Sequence, residues 1–81
     1  MKLSEGKIGK EYCVKTIDLG LAVKRRLEIL GMTGNATVTV VNSKKSGTKI
    51  IKVRGTRFAL GKEFTQSIDV EETDKVKTVT V

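Results

Sequence analysis

Val53-Arg54-Gly55-Thr56-Arg57-Phe58-Ala59-Leu60-Gly61 interleaves apolar residues with two arginines around Gly55. Valine, phenylalanine and leucine favour a core, whereas an arginine head group needs water or an acid. Gly55 allows a sharp backbone turn between the two halves. The stretch therefore reads as two short strands joined by a bend, one face packed and the other basic.

The same alternation extends upstream. Thr37 to Val41 places Val38 and Val40 inward and Thr37 and Thr39 outward. Thr48 to Arg54 places Ile51 and Val53 inward and Lys52 and Arg54 outward. The polar run Asn42-Ser43-Lys44-Lys45-Ser46-Gly47 separates them, which predicts a β-hairpin with a basic tip. Downstream, Phe58 and Leu60 point inward from a strand over Thr56 to Leu60. A helical turn near 62–66, anchored by Phe64, then leads to a last strand carrying Ile68 and Val70.

The first third of the chain supplies a strand and a helix. Glu11 to Asp18 reads as a strand with Tyr12 and Val14 on one face and Cys13 on the other. For Ile17 to face inward as well, a bulge or the end of the strand must intervene. Asp18-Leu19-Gly20 breaks it, and Leu21 to Leu30 reads as a helix with Val23, Leu27 and Leu30 on one stripe. Gly31 is the expected stop. Residues 1 to 11 form a turn-rich lead-in with Leu3 and Ile8 as anchors.

Five to six short strands with one inserted α-helix (about 21–30) predict a mainly β fold. The best candidate is a small, partly open SH3-like barrel, with an OB-type barrel as runner-up. A chain of 81 residues predicts a single domain over 1–81, with 73–81 as an extra edge strand or a flexible tail. Such a domain buries only about 60–65% of its unfolded surface, so a deep cavity is not expected. Aromatics make up 4% of the chain, so the core must be aliphatic.

The net charge of +7 is unevenly spread. No acid occurs between Glu28 and Glu63, a span holding Lys44, Lys45, Lys49, Lys52, Arg54, Arg57 and Lys62. A basic middle of this kind attracts acidic proteins, phosphates or anionic lipid headgroups. There is no long apolar run, the start lacks the apolar region of a signal peptide, and Cys13 has no disulfide partner, so a cytoplasmic protein is expected.

Catalytic chemistry finds little support. The chain has no histidine, and no Ser, Cys or Lys sits in a nucleophile motif. Neither catalytic nor metal-binding residues are assigned and no cofactor is expected, because metal sites draw on clustered ligands and Cys13 stands alone on a strand, where a small buried apolar side chain is the plainer reading. Gly6-x-x-Gly9 and Gly31-x-x-Gly34 lack the Lys-Ser/Thr of a phosphate loop and read as turn glycines. Single-strand nucleic-acid binders stack bases on aromatics, and only Tyr12, Phe58 and Phe64 are present. A basic nucleic-acid or phosphate-binding module stays open as an alternative.

Arg26-Leu27, Leu30-Gly31-Met32 and residues 53 to 61 together resemble the FeoA family, ferrous iron transport protein A. The pattern runs from Leu3, Gly6 and Gly9 to Ile68 and Val70, covering roughly residues 1 to 72. Where the family reads Pro-Gly, this chain has Gly34-Asn35, and asparagine tolerates the left-handed conformation that turn needs. The resemblance implies an SH3-like fold and a non-enzymatic, cytoplasmic accessory role in ferrous iron uptake. Its expected partner is the cytoplasmic part of FeoB, a membrane permease with a GTP-binding domain. Regulation of a separate iron-dependent repressor is the second implication, since a related domain occurs in such proteins. The contact candidates are Arg25, Arg26, Lys52, Arg54 and Arg57, with Arg26 alternatively bracing the fold beside Leu27.

Overall fold

The computed structural model describes residues 1–73. A 3-10 turn at Leu3–Glu5 precedes β1 (Glu11–Ile17), α1 (Leu21–Ile29), β2 (Thr37–Ser43), β3 (Lys49–Val53), β4 (Thr56–Leu60), α2 (Lys62–Thr65) and β5 (Ile68–Glu72). The strands form one antiparallel sheet in the order β4-β3-β2-β1-β5. The expected mainly β architecture with one inserted helix and a short second helical turn is therefore present. The expectation of an edge strand or tail over 73–81 lies outside the described residues from 74 onward.

Local sequence explains each connection. Between β3 and β4 the loop is only Arg54-Gly55, with φ of 52° and 83°. Positive φ at both central residues is the two-residue turn whose twist matches a hairpin, and Gly55 adopts it without a Cβ penalty. At the end of α1, the Gly31 amide donates to the Glu28 carbonyl and the Met32 amide to the Leu27 carbonyl. With Gly31 at φ 108°, this is a Schellman closure, and the buried pair Leu27 and Met32 supplies its apolar contact. Asn35 takes φ 67°, as the departure from Pro-Gly predicted.

Two bulges keep the core face consistent. In β1 the register shifts between Val14 and Thr16, so Ile17 returns to the buried side after Tyr12 and Val14. The intervening bulge foreseen from the sequence is this one. A second shift, between Val40 and Asn42 in β2, has no counterpart in the sequence reading. The core is almost entirely aliphatic: Val38, Val40, Ile51, Val53, Ile68 and Val70 line the sheet, and Leu3, Leu27 and Met32 close over it. Tyr12 is the one buried aromatic, its hydroxyl accepting from the Lys7 amide at 2.8 Å.

Three details differ from the sequence reading, and a fourth, at Lys49, adds to it. Ile8 is not an anchor; it sits in the turn before Gly9 and is exposed, and Leu3 alone fastens the lead-in. Leu30 caps α1 and stays largely exposed, because the helix ends one residue earlier and Met32 fills the core instead. Cys13 is half-buried and not fully enclosed. Lys49 shares the inward face of β3 and is only 8% exposed. Its ammonium donates to the Gly6 carbonyl at 3.1 Å and to Ser43 Oγ at 3.0 Å, tying the lead-in to the β2–β3 hairpin. No buried side-chain nitrogen or oxygen among the described residues lacks a hydrogen-bond partner.

Candidate partner-docking surface

The register of the sheet builds a basic patch on its outer side. Lys52 pairs across the β3–β4 hairpin with Arg57, and Thr39 of β2 lies opposite Lys52 on the other flank. Ile51 and Val53 point into the core, so strand parity turns Lys52 outward with Arg57 beside it, and both are exposed. Like charges directly opposite on neighbouring strands repel. Nothing in the described residues neutralises the pair by an ion pair.

The opposite edge is organised differently. Lys2, Lys10 and Lys15 make ion pairs of 3.0, 3.3 and 3.7 Å with Asp69, Glu72 and Glu71 on β5. The Met1 ammonium and carbonyl also bond the Val70 backbone, so the lead-in covers part of that edge strand. Charge is thus matched along β1 and β5 and unmatched along β3 and β4.

Arg54 occupies the hairpin turn, where its stem lies against the end of α1. A Cβ on Gly31 would stand 3.2 Å from Arg54 Cδ. The guanidinium-bearing chain so placed complements the negative end of the helix dipole. Arg25 and Arg26 are exposed on α1, and Arg26 also borders an open apolar groove of about 230 Å³ with Val23, Leu27, Leu30, Leu60 and Phe64. The five candidate contact residues therefore fall into two groups. Lys52 and Arg57 rise from the outer side of the sheet, and Arg25 and Arg26 rise from the helix that seals the core. Arg54 is where the hairpin meets the helix terminus.

Sequence reasoning passed over two further features. Lys62 folds over the basic loop between β2 and β3, so that a Cβ on Gly47 would sit 2.9 Å from its own Cβ. Lys62 thereby joins Lys44 and Lys45 near the hairpin tip, and no local sequence pattern signals a contact between elements so far apart. The inward Lys49 was legible from parity, since it lies two and four residues before Ile51 and Val53. Cys13 Sγ lies 3.9 Å from the Val14 carbonyl and 4.0 Å from Asn35 Oδ1. No group of three or more His, Cys, Asp or Glu side chains converges among the described residues. Nor is any helix among them long and apolar enough to cross a membrane.

Comparison with known proteins places the chain. A Methanocaldococcus jannaschii protein provisionally named Fe(2+) transport protein A is 31% identical over 72 residues, covering 89% of this chain and 87% of the relative. The FeoA protein of Chlorobium tepidum superposes with a TM-score of 0.85 at 28% identity, covering 91% of this chain and 71% of that one. Stenotrophomonas maltophilia FeoA, solved in complex with zinc and described as a procaryotic SH3 domain protein, superposes with a TM-score of 0.74 at 30% identity over 88% of this chain and 89% of that one. The fold is accordingly SH3-like. The FeoA domain pattern itself matches residues 1–72, and the chain belongs to the FeoA family.

Proposed function

We propose that this protein is a non-enzymatic accessory factor of ferrous iron uptake that works from the cytoplasm by contact with a FeoB-type membrane permease. One observation carries the contact: the like-charged pair Lys52 and Arg57, held side by side on the outer side of the sheet without an ion pair among the described residues. Such a pair is unfavourable in the free protein and becomes favourable against carboxylates. Arg54 extends the patch at the turn. Family membership supplies the biological setting, and the absence of histidine supports a role by docking more than by chemistry.

The alternative of single-stranded nucleic-acid binding has less support. Tyr12 is buried, and Phe58 and Phe64 pack against the core, so the aromatics are committed and offer no stacking platform.

Deleting the protein should impair ferrous uptake while the permease is still made, and the wild-type chain should restore it. In vitro, the protein should bind the cytoplasmic part of the permease with an affinity that falls as salt rises. Normal uptake without the protein in iron-poor, anaerobic medium would overturn the proposal.

A further inference from the structure

One side of α1 is turned away from the core. At about 3.6 residues per turn, Leu21, Ala22, Arg25, Arg26 and Ile29 fall on the side of the helix wheel away from Leu27, and the capping Leu30 lies at the margin of that side, next to Leu27. All six are exposed, and Ile29 and Leu21 are 84% and 63% accessible. Each arginine on this arc lies between apolar side chains, and the arc contains no acid. Glu28, the helix's one acid, is half-buried off the arc, beside Lys24 and the end of β1. Neither Arg25 nor Arg26 makes an ion pair within the described residues.

We infer that this face of α1 rests on an anionic lipid surface. Lipid meets both kinds of side chain at once. Leucine and isoleucine can enter the headgroup–acyl boundary, while the arginine stems lie along them and keep the guanidinium groups at the phosphates. Leu21, Ala22, Arg25 and Ile29 make a convex helix surface, with the apolar groove that Arg26 and Leu30 border at its margin, so a boundary that reshapes around protruding side chains suits it better than a preformed protein pocket. The charge is complementary as well, because the whole chain is cationic and this arc is free of acids. Arg54, whose stem lies against Gly31, adds a cation at the C-terminal end of the same helix. Binding of this kind is weak and reversible, resting on a few inserted side chains and on attraction to the anionic leaflet. It would raise the local concentration of the protein at a membrane whatever its protein partner, so it stands apart from the permease reading.

The test is flotation of the purified full chain with vesicles that contain no protein. One set is phosphatidylcholine with about one part in three phosphatidylglycerol, and the other is phosphatidylcholine alone. The protein should float with the anionic set at low salt, stay behind with the neutral set, and be released as salt rises. Arg25→Glu with Arg26→Glu, and separately Leu21→Ser with Ile29→Ser, should each lower the bound fraction about tenfold. Lys44→Glu with Lys45→Glu, an equal change of charge at the distant hairpin tip, should lower it by less than about threefold. All these side chains are exposed, and an unchanged melting temperature confirms intact variants. Failure of the wild type to float with anionic vesicles would overturn the inference. So would binding undiminished by the serine pair, or an equal loss in the Lys44 and Lys45 control, since either means diffuse attraction of a cationic protein.

Discussion

Two glycines in left-handed backbone separate conformational strain from crowding at the level of single residues. Gly55 has φ 83°, and a Cβ there would meet nothing within 4 Å. Gly31 has φ 108°, and its Cβ would stand 3.2 Å from both Val53 Cγ1 and Arg54 Cδ. Gly55→Ala should therefore cost only the conformational penalty, about 1 kcal/mol. Gly31→Ala carries that penalty and must also push Val53, a fully buried core residue, so it should cost roughly 1–2 kcal/mol more. Denaturant unfolding of both variants measures the difference, and equal losses would show that Val53 and Arg54 both yield to the added methyl group without cost. Lys49 offers a second comparison. Its stem replaces a buried apolar side chain in β3, while its ammonium holds Gly6 and Ser43. Lys49→Ala and Lys49→Met both lose those bonds, but only methionine keeps the length of the stem. At about 0.8 kcal/mol per buried methylene, alanine should be less stable than methionine by roughly 2 kcal/mol. Residue types alone hide this role, because a lysine in an acid-free span reads as surface until its parity with Ile51 and Val53 is counted.

Elements were legible where period and punctuation agreed. The β3–β4 hairpin could be read from Gly55 and the flanking alternation, and the end of α1 from Gly31. The β1 bulge could be read from a conflict, since Tyr12, Val14 and Ile17 cannot share a face of a regular strand. The β2 bulge could not, because Val41 is followed by the polar Asn42 and Ser43, which leave no later inward apolar residue in the strand to reveal a change of register. Leu30 misled for a related reason: the helix wheel sets it beside Leu27, but chain reversal at Gly31 hands the core position to Met32. The β1 bulge makes a sharp prediction. Lys15 and Thr16 together stand opposite Asp69, while Val14 and Ile17 face Val70 and Ile68. Deleting Lys15 would leave Thr16 outward and Ile17 inward in a regular ladder, at the loss of one exposed ion pair that contributes at most about 1 kcal/mol. The shortened protein should fold cooperatively. Deleting Cys13 would place Tyr12 next to Val14 and turn one of the two out of the core, so that variant should not fold. Circular dichroism and thermal melting of the two deletions decide the matter, and loss of folding on deleting Lys15 would mean that the bend made by the bulge is itself required to curve the sheet.

Across the whole molecule, charge is sorted as the linear sequence suggested, but the fold sharpens the sorting. The acids after Glu63 do not merely dilute the basic middle; those of β5 are matched by lysines from the lead-in and β1. The β3–β4 side, where pairing register sets Lys52 against Arg57, is among the regions left without an ion pair within the described residues. That pairing could not be read from the sequence without the register, although each residue's outward direction could. It also sets stability against binding in a measurable way. Lys52→Glu would exchange a repulsive cross-strand pair for an attractive one and lower the overall positive charge, so the free protein should gain about 0.2–1 kcal/mol. For a domain of this size, that corresponds to a rise of roughly 1–8 °C in melting temperature. The same substitution removes a cation from the proposed docking patch and introduces an acid there, so binding to the cytoplasmic part of the permease should weaken. Arg57→Glu should behave alike, while the double variant restores a like-charged pair and should forfeit the stability gain without recovering binding. A measurement in which Lys52→Glu lowers stability would show that the two cations are held apart by solvent or by counter-charges. One in which it raises stability yet leaves permease binding unchanged would remove this patch from the docking surface, and the arginines of α1 would become the next place to look.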